Sequence, residues 1–201
     1  VDPATGIDGV ADLLVRDGRV AAAGAGLSAP QDAEVKDLSG KYLVPGMVDV
    51  HVHFRDPGQE YKEDIVTGMR AAAKGGFTGV APMANTKPAI DDASMVAYEL
   101  EKAAYAPGRT HVYPIGACTK GLKGAELSEM GDMARAGAVA FSDDGRGIQD
   151  GGMMRRVMDY AKMFGKPVMS HCQMEDIVGH GVVNEGAAST RLGVAGWPAA
   201  G

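Results

Sequence analysis

The sequence predicts a parallel α/β fold, and three observations carry that expectation. Apolar segments suited to strands begin near Met47, Thr78, His111, Ala138 and Pro167, at spacings of 31, 33, 27 and 29 residues. Helix-like stretches with one apolar stripe fill the intervals between them. Strand, helix and strand repeated at this period is the signature of βαβ units, whose strands lie parallel. The third observation is the 29 glycines among 201 residues. That is about twice the usual share of roughly 7%, and without low-complexity tracts it implies many tight turns and backbone crossings.

The elements follow in order. The first 45 residues read as short strands. Residues 12–16 and 19–23 flank Asp17-Gly18, a two-residue hairpin signal. Further strands are expected at 33–35 and 41–44, the latter ending at Pro45-Gly46. So few short strands bury little alone and need partners from elsewhere. Ile65, Met69, Ala72 and Ala73 form the first helical stripe, behind Glu63-Asp64 at the end that favours acidic groups. A second helix is expected over 95–104, capped by Asp91 or Asp92. Leu127, Met130 and Ala134 make the third stripe, with Gly137 as its stop. Met154, Val157, Met158 and Ala161 make the fourth, closed by Gly165. Most of the twelve methionines fall on these stripes and read as core filler. An eightfold βα barrel needs about 250 residues, so the periodicity fits five barrel units and a complete open five-stranded sheet equally well.

Composition narrows the function. Twenty Lys and Arg against 26 Asp and Glu give a net charge of −6, which disfavours a nucleic-acid backbone as partner. No apolar run approaches the roughly 18 residues of a membrane span. Cys118 and Cys172 are too few for a disulfide framework and fit a reduced, cytoplasmic compartment. Val1 in place of Met points to a trimmed start.

The run 49–58, Asp-Val-His-Val-His-Phe-Arg-Asp-Pro-Gly, carries the sharpest chemistry. On a strand, residues two apart share a face, so His51 and His53 point together and offer half of a metal site. Arg55 continues that face into the loop, where a guanidinium can clamp a carboxylate through two hydrogen bonds. The bland alternative is a pair of satisfied histidines. His171 at the end of the fifth expected strand, and Asp143-Asp144 past the fourth, raise the metal reading. Strand C-terminal ends open onto one rim in a parallel barrel. One of the two aspartates is expected to serve only as a turn residue before Gly145.

Gly46, Asp49, the His51 to Gly58 run, Met83-Ala84-Asn85-Thr86, Phe141 to Gly145 and His171-Cys172, taken in order, resemble the amidohydrolase superfamily. Within it the chain is similar to the bacterial type I dihydroorotases, from the first strands through Gly196-Trp197-Pro198. The resemblance implies a (β/α)8 TIM barrel, with residues 46–201 as its first five βα units. It implies that residues 1–45 are the N-terminal part of a small β-sandwich. It implies one or two Zn2+ ions and the reversible hydrolysis of dihydroorotate to N-carbamoylaspartate in pyrimidine synthesis, with metal-activated water attacking the ring amide. Carried over residue by residue, His51 and His53 bind one metal, Asp144 bridges or completes the pair, and His171 binds the second. Arg55 and Asn85 hold the substrate carboxylate. A local loop cap is the plain alternative for Asn85.

Departures matter as well. Hydantoinases and other relatives use a carboxylated lysine where this chain has Ser142, which favours the dihydroorotase branch over hydantoinase or allantoinase. Ala84 stands where relatives carry proline. The family's general acid–base aspartate belongs to the eighth strand and is expected beyond Gly201, so the sequence reads as a portion of a longer chain. A homo-oligomer is expected. A second class of reading is a non-catalytic relative serving as structural partner of aspartate transcarbamoylase, but such proteins tend to lose the metal histidines. A nucleotide-binding open sheet lacks its glycine-rich loop after the first strand. His111 reads as structural, His180 as a surface loop residue, Cys172 as packing, and Cys118 as no nucleophile. Arg109, Lys120 and Lys123 read as scattered solvated charges.

Overall fold

The computed structural model describes residues 1–106 and 110–201, so Arg109 lies outside the described residues. The chain divides into two compact units, Val1–Gly46 and Met47–Gly201.

In the first unit, β1 (Asp12–Arg16) and β2 (Arg19–Gly24) pair antiparallel. Asp17 (φ 51°) and Gly18 (φ 72°) both occupy the left-handed region, as a two-residue turn matched to strand twist demands. The Asp12 carboxylate accepts from the backbone N–H of Gly26 and Leu27 at 2.9 and 3.1 Å, closing the hairpin's open end. The strands expected at 33–35 and 41–44 do not form. Val35 is 73% and Tyr42 89% exposed, and no strand among the described residues pairs with these segments.

The second unit starts with β3 (Met47–Val52), α1 (Ile65–Lys74), β4 (Phe77–Pro82) and α2 (Ala93–Tyr105). It continues through β5 (His111–Val112), β6 (Ile115–Gly116), α3 (Met130–Ala136), β7 (Ala140–Phe141) and α4 (Gly151–Met163). Every strand pair of this region is parallel, in the succession β3-β4-β5 and β6-β7. β5 and β6 are one run of chain interrupted at Tyr113-Pro114. Its first half pairs with β4 and its second with β7. Pro114 has no N–H to give the ladder, while its carbonyl accepts from Val139 N–H at 2.9 Å. The strand expected from Pro167 reduces to a single bridge between Phe141 and Val168. Pro167 again removes a donor, and no strand flanks its other side among the described residues. The chain ends with α5 (Glu175–Val178), β8 (Val183–Asn184), α6 (Ala187–Leu192) and β9 (Gly196–Trp197), β8 and β9 pairing parallel.

Helix starts follow the capping chemistry of the sequence. Asp64 accepts from Thr67 N–H at 2.8 Å, Asp92 from Ser94 and Met95 N–H, and Asp150 from Met153 N–H. Gly137 ends α3 with φ 121°. The core packs α2, α3 and α4 around Phe141, Met130, Met133, Val96 and Val157. A second cluster seats α1 on the sheet through Phe54, Ile65, Met69 and Val80. The fourth stripe is shifted from expectation. Met153, Val157 and Ala161 are buried at four-residue spacing, which turns Met158 outward to 51% exposure. Met47, Met163 and Met174 are exposed too, so a third of the methionines are not core filler.

Candidate metal centre

The loop after β3 is built by close backbone approaches. Gly58 has φ 93°, and a Cβ there would lie 1.8 Å from the Lys87 carbonyl oxygen, so no other residue fits. Lys87 N–H donates to the Pro57 carbonyl at 3.0 Å. These contacts press the loop after β3 against the loop after β4 and bring Arg55 beside Asn85. Phe54 is buried against α1, where a Cβ on Gly68 would meet its ring at 2.4 Å. Arg55 itself sits at φ 57°, a left-handed conformation that costs a non-glycine residue about 1–2 kcal/mol. Strain of this kind collects at functional sites.

Asp56 anchors the loop from beneath. Fully buried, it accepts from Ile65 N–H at the start of α1 (3.1 Å) and from the Tyr98 hydroxyl (2.8 Å), and pairs with Lys102 at 2.6 Å. Burial opposes the charge on Lys102, but its bonds to Asp56 and Tyr98 outweigh that and raise its pKa. This anchor had no role in the sequence reading, although Asp56 stands inside the motif.

At the strand ends, His51, His53 and Asp144 each offer a ligand atom, and these atoms all lie within 4.8 Å of one another. His51 Nε2 is 3.4 Å from Asp144 Oδ1, and His53 Nε2 is 3.6 Å from Asp144 Oδ2. The two imidazoles meet edge to face at 5.1 Å, as the shared strand face requires. Asn85 lies among them. Its Oδ1 is 3.0 Å from His53 Nδ1 and accepts from Arg55 Nη1 at 3.3 Å, while its Nδ2 donates to Asp144 Oδ2 at 3.0 Å. Two imidazoles and a carboxylate converging on one point suit a divalent metal cation. His171 is not drawn into this cluster. Its Nδ1 is buried without a hydrogen-bond partner among the described residues, an unsatisfied donor or acceptor of the kind a ligand would complete.

Asp143 opens the expected turn, its carbonyl accepting from Gly147 N–H at 3.1 Å, and its side chain reaches further. It is buried and accepts from the backbone N–H of Cys118 (2.8 Å) and Thr119 (3.0 Å) and from the Thr119 hydroxyl, tying the loop after β6 to the loop after β7. Burial pushes its carboxyl above the usual aspartate range, against the lowering effect of these donors. Cys118 is buried, and that burial, with Asp143 close by, raises its thiol pKa, which leaves it inert as a nucleophile. Cys172, read as packing, is exposed, because its segment is not a strand with a buried face. His111 is exposed beside the Tyr113 ring, and His180 is exposed. Lys120 pairs with Glu126 at 2.6 Å.

Residues 40–200 match the model of a family described as dihydro-orotase-like. The chain belongs to the dihydro-orotase-like family. Over 98% of its length it is 52% identical to a protein named dihydroorotase from Geobacter sulfurreducens and 51% identical to one from Syntrophotalea carbinolica. It spans 46% of each of those relatives, so this dihydro-orotase-like chain covers about half their length. A solved structure titled L-hydantoinase (dihydropyrimidinase) from Arthrobacter aurescens superposes with a TM-score of 0.70 at 26% identity, covering 84% of this chain and 38% of that one. The dihydro-orotase-like chain thus shares an α/β fold with the matched part of that structure.

Proposed function

We propose that this chain carries the metal-binding and carboxylate-binding half of a dihydroorotase active site, for the reversible hydrolysis of dihydroorotate to N-carbamoylaspartate. The observation that carries the reading is the convergence of His51, His53 and Asp144 within 4.8 Å, with Arg55 and Asn85 against them. His51, His53 and Asp144 would hold one Zn2+, and His171, whose buried Nδ1 has no partner among the described residues, would take part in a second site. A cation held there supplies Lewis-acid polarisation of an amide carbonyl and lowers the pKa of water. Arg55 receives the substrate carboxylate bidentately and fixes which ring carbonyl faces the metal centre. Asn85 adds a donor for the same carboxylate. Asp143 holds the loop that presents Asp144.

The parallel succession of β3, β4, β5/β6, β7 and the Val168 bridge is read as five βα units of an eightfold barrel, and residues 1–45 as the N-terminal part of a small β-sandwich. A cytoplasmic homo-oligomer, able to assemble with aspartate transcarbamoylase, completes the reading. The likeness to L-hydantoinase supports a hydantoinase- or allantoinase-type reading as the alternative. Ser142 weighs against it, being a buried serine, hydrogen-bonded through its N–H to Gly116, where a carboxylated lysine would have to sit.

The test is hydrolysis of dihydroorotate, hydantoin and allantoin by the intact protein, with and without a zinc chelator. Chelator-sensitive turnover of dihydroorotate alone is the expected result. Preferential turnover of hydantoin or allantoin would replace the reading, and turnover indifferent to chelator would remove the metal from it.

A further inference from the structure

Asn85 does more in this structure than wait for a substrate. Its carboxamide touches three partners whose own hydrogen-bonding capacities differ. The Arg55 guanidinium can only donate, so the atom it contacts, Oδ1, must accept. An ionised Asp144 carboxylate can only accept, so the atom it contacts, Nδ2, must donate. The two contacts independently fix the same orientation of an amide that could otherwise be flipped. With Oδ1 fixed as an acceptor, His53 Nδ1, 3.0 Å away, must carry the proton. In neutral His53 the lone pair then belongs to Nε2, the atom that faces Asp144.

We infer that Asn85 is a positioning residue of the metal centre: it sets the His53 tautomer to Nδ1–H and holds Asp144 Oδ2, so that both present free lone pairs to one cation. This deepens the metal-site reading above and rests on it. A ligating histidine needs its second nitrogen engaged to keep ring orientation and tautomer, and loss of such a partner costs about 10–100-fold in metal affinity. The same carboxamide is contacted by Arg55, so the carboxylate-binding arm and the metal-binding arm are joined through one side chain. Gly58 and the Lys87 backbone hold that junction, since their contact sets the distance between the two loops.

The test uses the intact protein stripped of metal and its Asn85→Ala variant. Histidine nitrogen NMR reads the His53 tautomer without metal, and competition with a chromophoric chelator reads the zinc dissociation constant. The expected result is Nδ1–H for His53 in the parent protein, loss of that preference in Asn85→Ala, and zinc affinity about 10–100-fold weaker at an unchanged melting temperature. A residue that served the substrate alone would raise KM and leave both readouts where they were, and that outcome overturns the inference. His51→Ala is measured alongside. Zinc affinity equal in the parent and His51→Ala would defeat the metal-site reading itself, a pattern distinct from equal affinity in the parent and Asn85→Ala only.

Discussion

Asp143 and Asp144 are adjacent in sequence, both buried, and held in opposite ways. Asp143 is heavily engaged: two backbone N–H groups and a hydroxyl donate to its oxygens, all from the loop after β6. Asp144 faces two imidazole nitrogens at 3.4 and 3.6 Å, too far for short hydrogen bonds, and receives one donor, from Asn85. The first arrangement spends a carboxylate on joining two loops, and the second keeps lone pairs in reserve. Burial alone does not mark Asp144 as a ligand; unspent capacity beside two imidazoles does.

That contrast is open to direct attack. The largest effect is expected from Asp144→Ala in the intact protein. Turnover should fall by more than the roughly 100-fold that loss of an outer partner costs, with zinc content reduced and melting temperature nearly kept. Asp143→Ala should do the reverse. It strands two buried N–H groups and should cost about 2–4 kcal/mol in denaturant unfolding, while protein that remains folded keeps zinc. If Asp143→Ala strips zinc without lowering stability, the division of labour fails.

Arg55→Met sharpens the same comparison from the substrate side. It should raise KM for dihydroorotate by about 10–100-fold, the worth of a charge-assisted bond at 1.5–3 kcal/mol, and leave bound zinc unchanged. An unchanged KM would move the carboxylate contact elsewhere.

The smallest effect concerns Glu99 on α2, buried with both carboxyl oxygens unpartnered among the described residues. Burial, reinforced by the nearby Asp56 charge, holds its pKa well above the ordinary value. The folded state therefore keeps a proton that the unfolded chain releases above a pKa of about 4.3, so stability from this group declines as pH rises past that point. Glu99→Gln, which cannot ionise, should flatten that decline in unfolding curves between pH 5 and 8, about the interval above the ordinary carboxyl pKa. An unaltered slope would show that Glu99 does not titrate abnormally.

The helices were readable because their signals are local. Asp64 and Asp92 sit one residue before their helices and cap them, and Asp17-Gly18 makes its turn from two residues' backbone preferences. The His51, His53 pair was readable because a strand's alternation is equally local. Segments 33–35 and 41–44 misled because a short apolar run becomes a strand only where a neighbour offers hydrogen bonds. Met158 misled because a helix's buried face is chosen by what packs on it, here in favour of Met153, Val157 and Ala161.

The sequence by itself determined the parallel α/β class, the histidine pair, the guanidinium two residues on and the carboxylate pair after the fourth strand. Only the tertiary structure decided which aspartate is spent and which is free. It also decided that Asp56 anchors the site loop through Tyr98 and Lys102, and that one asparagine joins Arg55, His53 and Asp144. Each of those assignments depends on groups 24 to 59 residues apart. Hydrogen-bond capacity is a property of the residue, but which partner consumes it is settled by the fold.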